Sequence, residues 1–196
     1  DWYDKNECHH NDPNGHDRSN GRIFKISYGE TKFEKVDLQK LSDAELVKLL
    51  ASKNSWQTRH ARRILQEHCE RYLTELKTWT ASIQTNASYP KPEELKPRAA
   101  IALKDMDDRL YDLFHKSIDS QTRLRLFWAI HSTTRRIHPE GMAFFSDKDE
   151  FIRAWSVQSQ CENRGFSPDV SEVRLNQFAR MAREDKSPVV RLYLAS

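Results

Sequence analysis

Two stretches of the chain superimpose at a fixed offset. In Asp147-Lys-Asp-Glu-Phe-Ile-Arg153-Ala-Trp-Ser and Asp185-Lys-Ser-Pro-Val-Val-Arg191-Leu-Tyr-Leu, both the aspartates and the arginines lie 38 residues apart. A recurrence of this length constrains the fold more than any other feature, because such a unit is one supersecondary element that buries its apolar side only against a neighbour of the same kind. The aspartate falls in a turn and the arginine about one helical turn into the next helix. At that spacing a carboxylate can cap the helix or meet a guanidinium, and so hold neighbouring units in register. Asn54 to Arg59 carries a looser version of the pattern. The period lies close to that of HEAT and armadillo repeats; the alternative is an ordinary helical bundle in which the match arose by chance.

The surrounding sequence is helical from Leu41 onward. Ser42-Asp43-Ala44-Glu45 is a capping box, with Leu41 placed to staple against Leu46, so a helix is expected to start near residue 42. After a break at Lys53-Asn54, a second helix carries Ala61, Ile64, Leu65, Cys69, Tyr72, Leu73 and Leu76 at steps of three and four, one apolar stripe. Prolines at 90, 92 and 97 make Thr85 to Pro97 a loop. Further helices are expected over about Arg98 to Lys116, Thr122 to Thr133, Asp149 to Gln160 and Val170 to Glu184. A last one starts after Ser187 as N-cap with Pro188 as its first residue. Its apolar side, Val189, Val190, Tyr193 and Leu194, is only partly formed when the chain stops at Ser196, whereas terminal repeats carry a polar capping face. With Asp rather than Met at residue 1, this suggests an excerpt of a longer protein.

The first 30 or so residues differ in kind. They hold three of the five glycines, Gly15, Gly21 and Gly29, and two Asn-Gly turn signals, Asn14-Gly15 and Asn20-Gly21. Phe24, Ile26 and Tyr28 then share one parity, which predicts a strand ending at Gly29. A lone strand leaves its edges unpaired, so its sheet belongs elsewhere. The expected fold class is therefore mainly α: a HEAT-like α-α array of the right-handed α-solenoid type over 40–196, truncated at its C-terminus, preceded by a β-rich remnant of another domain over 1–35.

Composition narrows the partners. The 32 Lys and Arg against 29 Asp and Glu leave a net charge of +3 with the signs interspersed, too little to imply a polyanion by itself. No run reaches the roughly 18 to 20 apolar residues of a membrane span. Cys8, Cys69 and Cys161 are too far apart for paired zinc-ligand motifs, and Cys69 sits among apolar helical positions as core filler. Neither a Gly-rich phosphate loop nor a nucleophile elbow is present.

Among residues able to carry chemistry, Cys8, His9, His10, Asp12, His16 and Asp17 crowd one loop. His9, His10, Asp12 and His16 are the candidate metal ligands, three imidazoles and a carboxylate that turns could converge on one ion. The same side chains could instead hydrogen-bond their own turns and dock the loop. Arg59, His60, Arg62 and Arg63 form a basic cluster and Arg135-Arg136 a second, able to hold phosphates; Glu67, Glu70, Asp105 and Asp107 argue for an ion-paired face. Trp56, Trp79, Trp128 and Trp155 read as core rather than as a cofactor box.

Taken together, Asp1-Trp2-Tyr3-Asp4, Cys8-His9-His10-Asn11-Asp12, the run from Asp17-Arg18-Ser19 through Arg22-Ile23-Phe24-Lys25-Ile26, Leu41-Ser42-Asp43-Ala44-Glu45-Leu46 and Arg59-His60-Ala61-Arg62-Arg63 resemble a family of large planctomycete-type proteins known as membrane-bound dehydrogenases. Arg125 to His131, Arg153-Ala154-Trp155 and Ser187 to Ser196 match its helical region. The resemblance implies a β-propeller similar to glucose and sorbosone dehydrogenases, followed by HEAT-like repeats and often a cytochrome c domain. Residues 1–35 would then be the end of the propeller. The upstream propeller and a downstream cytochrome c domain would be partners within the parent chain, in the periplasm or at its membrane. Pyrroloquinoline quinone, calcium and haem c would be cofactors of that parent. Haem attachment needs Cys-x-x-Cys-His, and Cys8-His9-His10 has one thiol, so this segment is expected to hold no cofactor and to be non-catalytic by itself. A protein-interaction module on a non-catalytic propeller is the other reading.

Overall fold

The computed structural model describes residues 11, 14–15, 23–30, 35–85, 97–134, 139–162 and 168–196. The chain divides into two units, Asp1–Val36 and Asp37–Ser196. In the first, residues 23–27 are neither helix nor strand, and Ile23, Ile26 and Tyr28 are exposed. The strand expected there is not formed among the described residues, for the reason that applies to any lone strand: no second edge satisfies its backbone. Gly29, at the expected end of that strand, takes the left-handed φ of +69° that glycine adopts without steric cost.

The second unit is helical. A 3₁₀ turn, Leu38–Lys40, leads into α1 (Asp43–Leu49), followed by α2 (Ser55–Thr85), α3 (Arg98–Lys116), α4 (Ser120–Thr134), a 3₁₀ segment (Pro139–Ser146), α5 (Glu150–Glu162), α6 (Pro168–Glu184) and α7 (Pro188–Ala195). The capping box starts α1 as expected: Ser42 Oγ accepts from Glu45 N at 3.4 Å and Glu45 Oε2 accepts from Ser42 N at 2.8 Å. On α2, the stripe residues Ala61, Ile64, Leu65 and Cys69 are buried, while Tyr72 and Leu73 are half-buried. α3 buries Ala99, Met106, Leu110, Tyr111 and Phe114. Its outer face carries the i,i+4 pairs Lys104–Asp108, Arg109–Asp105 and Lys116–Asp112, which at such exposure add little to stability.

Helices pack as consecutive pairs: α1 with α2, α3 with α4, the Pro139–Ser146 segment with α5, and α6 with α7. The second members also pack in chain order, α2 on α4, α4 on α5 and α5 on α7. The third pair thus has a short 3₁₀ segment where the others have an α-helix, an element that periodicity did not foretell. Its two phenylalanines belong to different cores. Phe144 meets the rings of Phe114 and Phe127 edge-on at 5.3 and 5.2 Å in the main cluster. Phe145 joins Ala154, Val157, Met181 and Val190 in a smaller one.

Candidate functional site

The turn entering each second helix is built the same way. Its cap is Asn54, Asp119, Asp149 or Ser187, whose side chain accepts from backbone N–H groups of the first turn: Trp56 N at 3.0 Å, Thr122 N at 2.8 Å, Phe151 N at 2.9 Å and Val189 N at 3.2 Å respectively. Two residues before the caps stand Ser52, Ser117, Asp147 and Asp185; four residues after stand Thr58, Arg123, Arg153 and Arg191. Asp147 and Asp185 each brace their own turn, accepting from Asp149 N and Ser187 N, both at 2.9 Å.

The same two carboxylates receive the arginine of the preceding pair. Arg153 grips Asp185 with two bonds, Nε to Oδ2 at 2.7 Å and Nη2 to Oδ1 at 2.9 Å, while its Nη1 donates to Asp147 O at 2.8 Å. Arg123 reaches Asp147 Oδ2 at 2.5 Å and Phe114 O at 3.2 Å, with its guanidinium 4.2 Å from the centre of the Phe114 ring. The Arg153 guanidinium and then the Ser187 N–H hold the Asp185 carboxyl below the usual carboxylate range, against the opposing effect of burial. The sequence spacing anticipates such a contact within one unit; the contact observed is between units, and within the unit Arg153 uses the backbone carbonyl. Ser120 Oγ with Asp149, and Ser187 Oγ with Glu150, add further links at these turns. The N-termini of α4, α5 and α7 therefore lie together at one edge, and Arg125 Nη1, donating to Ser52 O at 3.0 Å, brings α4 to the turn before α2.

At this first seam, between α2 and α4, lies a cavity of about 220 Å³ whose lining includes Ser55, Thr58, Arg59, Arg62, Arg125 and Trp128. None of its lining residues is acidic. Arg62 stands 5.8 Å from the centre of the Trp128 ring, and Trp128 Nε1 is buried without a hydrogen-bond partner among the described residues. The arginine position at this seam is Thr58, and the residues equivalent to Asp147 and Asp185 are Ser52, in the turn before α2, and Ser117, in the turn that meets this seam. Their hydroxyls are engaged locally, with Gln57 Oε1 at 2.9 Å and Leu113 O at 2.7 Å. Asp119, the nearby acid, is committed to capping α4: the Thr122 N–H first of all lowers its pKa, and Arg125 adds a minor share.

Other candidates land as follows. Cys8, His9, His10, Asp12, His16, Asp17 and Arg135-Arg136 lie outside the described residues. Among the described residues no group of three or more His, Cys, Asp or Glu side chains could hold a metal, and the thiols of Cys69, buried, and Cys161, exposed, are both free. These residues do not fit haem attachment. In the basic cluster Arg63 pairs with Glu67 at 2.9 Å, and Arg59 and Arg62 turn to the cavity instead. Trp128 and Trp155 meet edge to face at 5.1 Å beside the core, and Trp155 lies 5.8 Å from Tyr193. Trp56 departs from the core reading: it is 44% exposed and lies against His60 at 4.4 Å.

One cluster has no signal in the spacing. Asp43 receives His68 Nδ1 at 2.6 Å and the Tyr72 hydroxyl at 2.9 Å, and desolvation first, then the Asp43 bond, raises the Tyr72 pKa. It ties the first turn of α1 to the middle of α2.

The fold and site define a mainly helical protein, among the described residues, whose paired helices are joined by arginine–aspartate links. Comparison with protein-family models, with curated proteins and with solved structures returns no match.

Proposed function

We propose that the helical unit is a HEAT-like array of the α-solenoid type, and that the chain is the scaffold region of a periplasmic quinone-dependent dehydrogenase-like protein, non-catalytic by itself. The observation that carries the scaffold reading is the recurring turn, in which one carboxylate both braces its own helix start and anchors the arginine of the pair before it. The second, third and fourth pairs are thereby set in angle and height against one another, as an array that spaces other domains requires. The dehydrogenase attribution rests on the sequence runs that resemble that family, with the propeller end over 1–35.

The test is oxidation of sugars and alcohols with a dye acceptor, in the presence of pyrroloquinoline quinone and calcium, on the full-length parent and on this chain alone. Turnover by the parent and none by the chain is the expected result; turnover by the chain alone would overturn the reading. A parent without turnover favours the second reading, an interaction module on a non-catalytic propeller. The row of half-buried aromatics, Trp128, Trp155 and Tyr193, supports that reading, because such side chains concentrate binding energy.

A further inference from the structure

We propose that the cavity between α2 and α4 binds a phosphate-class oxyanion, either free phosphate or a phosphate monoester group. At the later seams each repeat arginine meets a carboxylate, Arg123 with Asp147 and Arg153 with Asp185. At the first seam that pair is replaced by Thr58 and Ser117, and three other arginines, Arg59, Arg62 and Arg125, line a cavity that has no acidic residue in its wall. Like charges that face one cavity repel, and an anion bound among them relieves that repulsion.

The chemistry selects the anion. A carboxylate is satisfied by one bidentate arginine, whereas three guanidiniums in one cavity call for an ion with three or four acceptor oxygens and a double charge. Ser55 is the first residue of α2, so the cavity also feels the positive end of that helix dipole, while the Trp56 and Gln57 N–H groups themselves are taken by Asn54. Trp128 forms part of the same wall, with the Arg62 guanidinium 5.8 Å from its ring centre. This inference does not rest on the dehydrogenase-like scaffold reading and survives its failure.

The probe is inorganic phosphate titrated into the full chain at constant ionic strength, followed by calorimetry and by tryptophan fluorescence, with phosphoserine and succinate in parallel arms. Saturable one-to-one binding of phosphate is expected, weakened about tenfold or more in Arg59→Gln and Arg125→Gln, the scale of one charge-assisted hydrogen bond. Arg59 is exposed and makes no ion pair among the described residues, so its loss does not threaten folding even if that of Arg125 does. Ser52→Asp, which puts a carboxylate on the residue whose backbone carbonyl already meets Arg125, is expected to weaken binding as well. Arg180→Gln, whose arginine pairs with Glu184 on the surface, is expected to bind as the parent does. Phosphoserine binding tighter than phosphate identifies a phosphorylated ligand, and equal or weaker binding identifies the free ion. Absence of saturable binding, affinity unchanged in Arg59→Gln, or succinate bound as tightly as phosphate would each overturn the proposal.

Discussion

Asp185 shows how much one side chain decides here. Its two oxygens serve two guanidinium bonds and one backbone N–H, and the side chains of Arg153 and Asp185 are only 18% and 9% exposed. Replacing the acid by asparagine keeps the turn's acceptor but strands a desolvated cation, which costs about 3 kcal/mol when one member of a buried pair is removed. Urea unfolding at neutral pH measures that loss. The pH dependence follows from the lowered pKa: folded Asp185 binds its proton less readily than the unfolded chain, so its contribution is complete above the unfolded carboxylate pKa of about 4 and is lost as pH falls through the lower folded value. Asp185→Asn is therefore expected to lose less stability than the parent between neutral pH and about pH 3; equal losses would remove the pair from the account. The spacing from Asp147 to Arg153 was legible in the chain, yet the partner of Arg153 was not, because it lies 32 residues away and is chosen by how α5 meets the turn before α7.

At the scale of elements, local signals were sufficient wherever the deciding interaction is local. The capping box of α1, the prolines before α3 and Ser187-Pro188 at α7 act within a few residues, and those helices start within about a residue of where the sequence places them. Ser42→Ala is expected to cost about 1 kcal/mol by leaving first-turn N–H groups without their acceptor. Ser187→Ala is expected to cost more, since Ser187 Oγ caps α7 and also meets Glu150 on α5. Thermal unfolding of the two variants side by side checks the order. The Pro139–Ser146 segment was missed for the complementary reason: its Phe144 and Phe145 are adjacent, so neither a helical nor a strand period registers them. The segment is held by rings of α3, α4 and α6.

For the whole molecule, the division of the core matters most. α1 to α5 contribute to one large apolar cluster, whereas α6 and α7 rest on a smaller one with parts of α5. Regions with less buried apolar surface open at lower free energy, so amide exchange is expected to be faster across α6 and α7 than across the buried stretches of α2 and α4. Val190→Ala, which removes two methyl groups from a fully buried site at a cost of about 2 kcal/mol, is expected to speed exchange in α6 and α7 and leave α2 unchanged. Uniform acceleration throughout would mean a single cooperative unit. The sequence by itself determined the helices, their caps and the repeated Asp–Arg spacing, because periodicity and capping are set within one or two turns of chain. Only the tertiary structure decided which carboxylate answers which arginine, and that Arg125 of α4 comes to stand with Arg59 and Arg62 of α2 around an acid-free cavity, because these pairings depend on how separate helices pack, which no local spacing encodes.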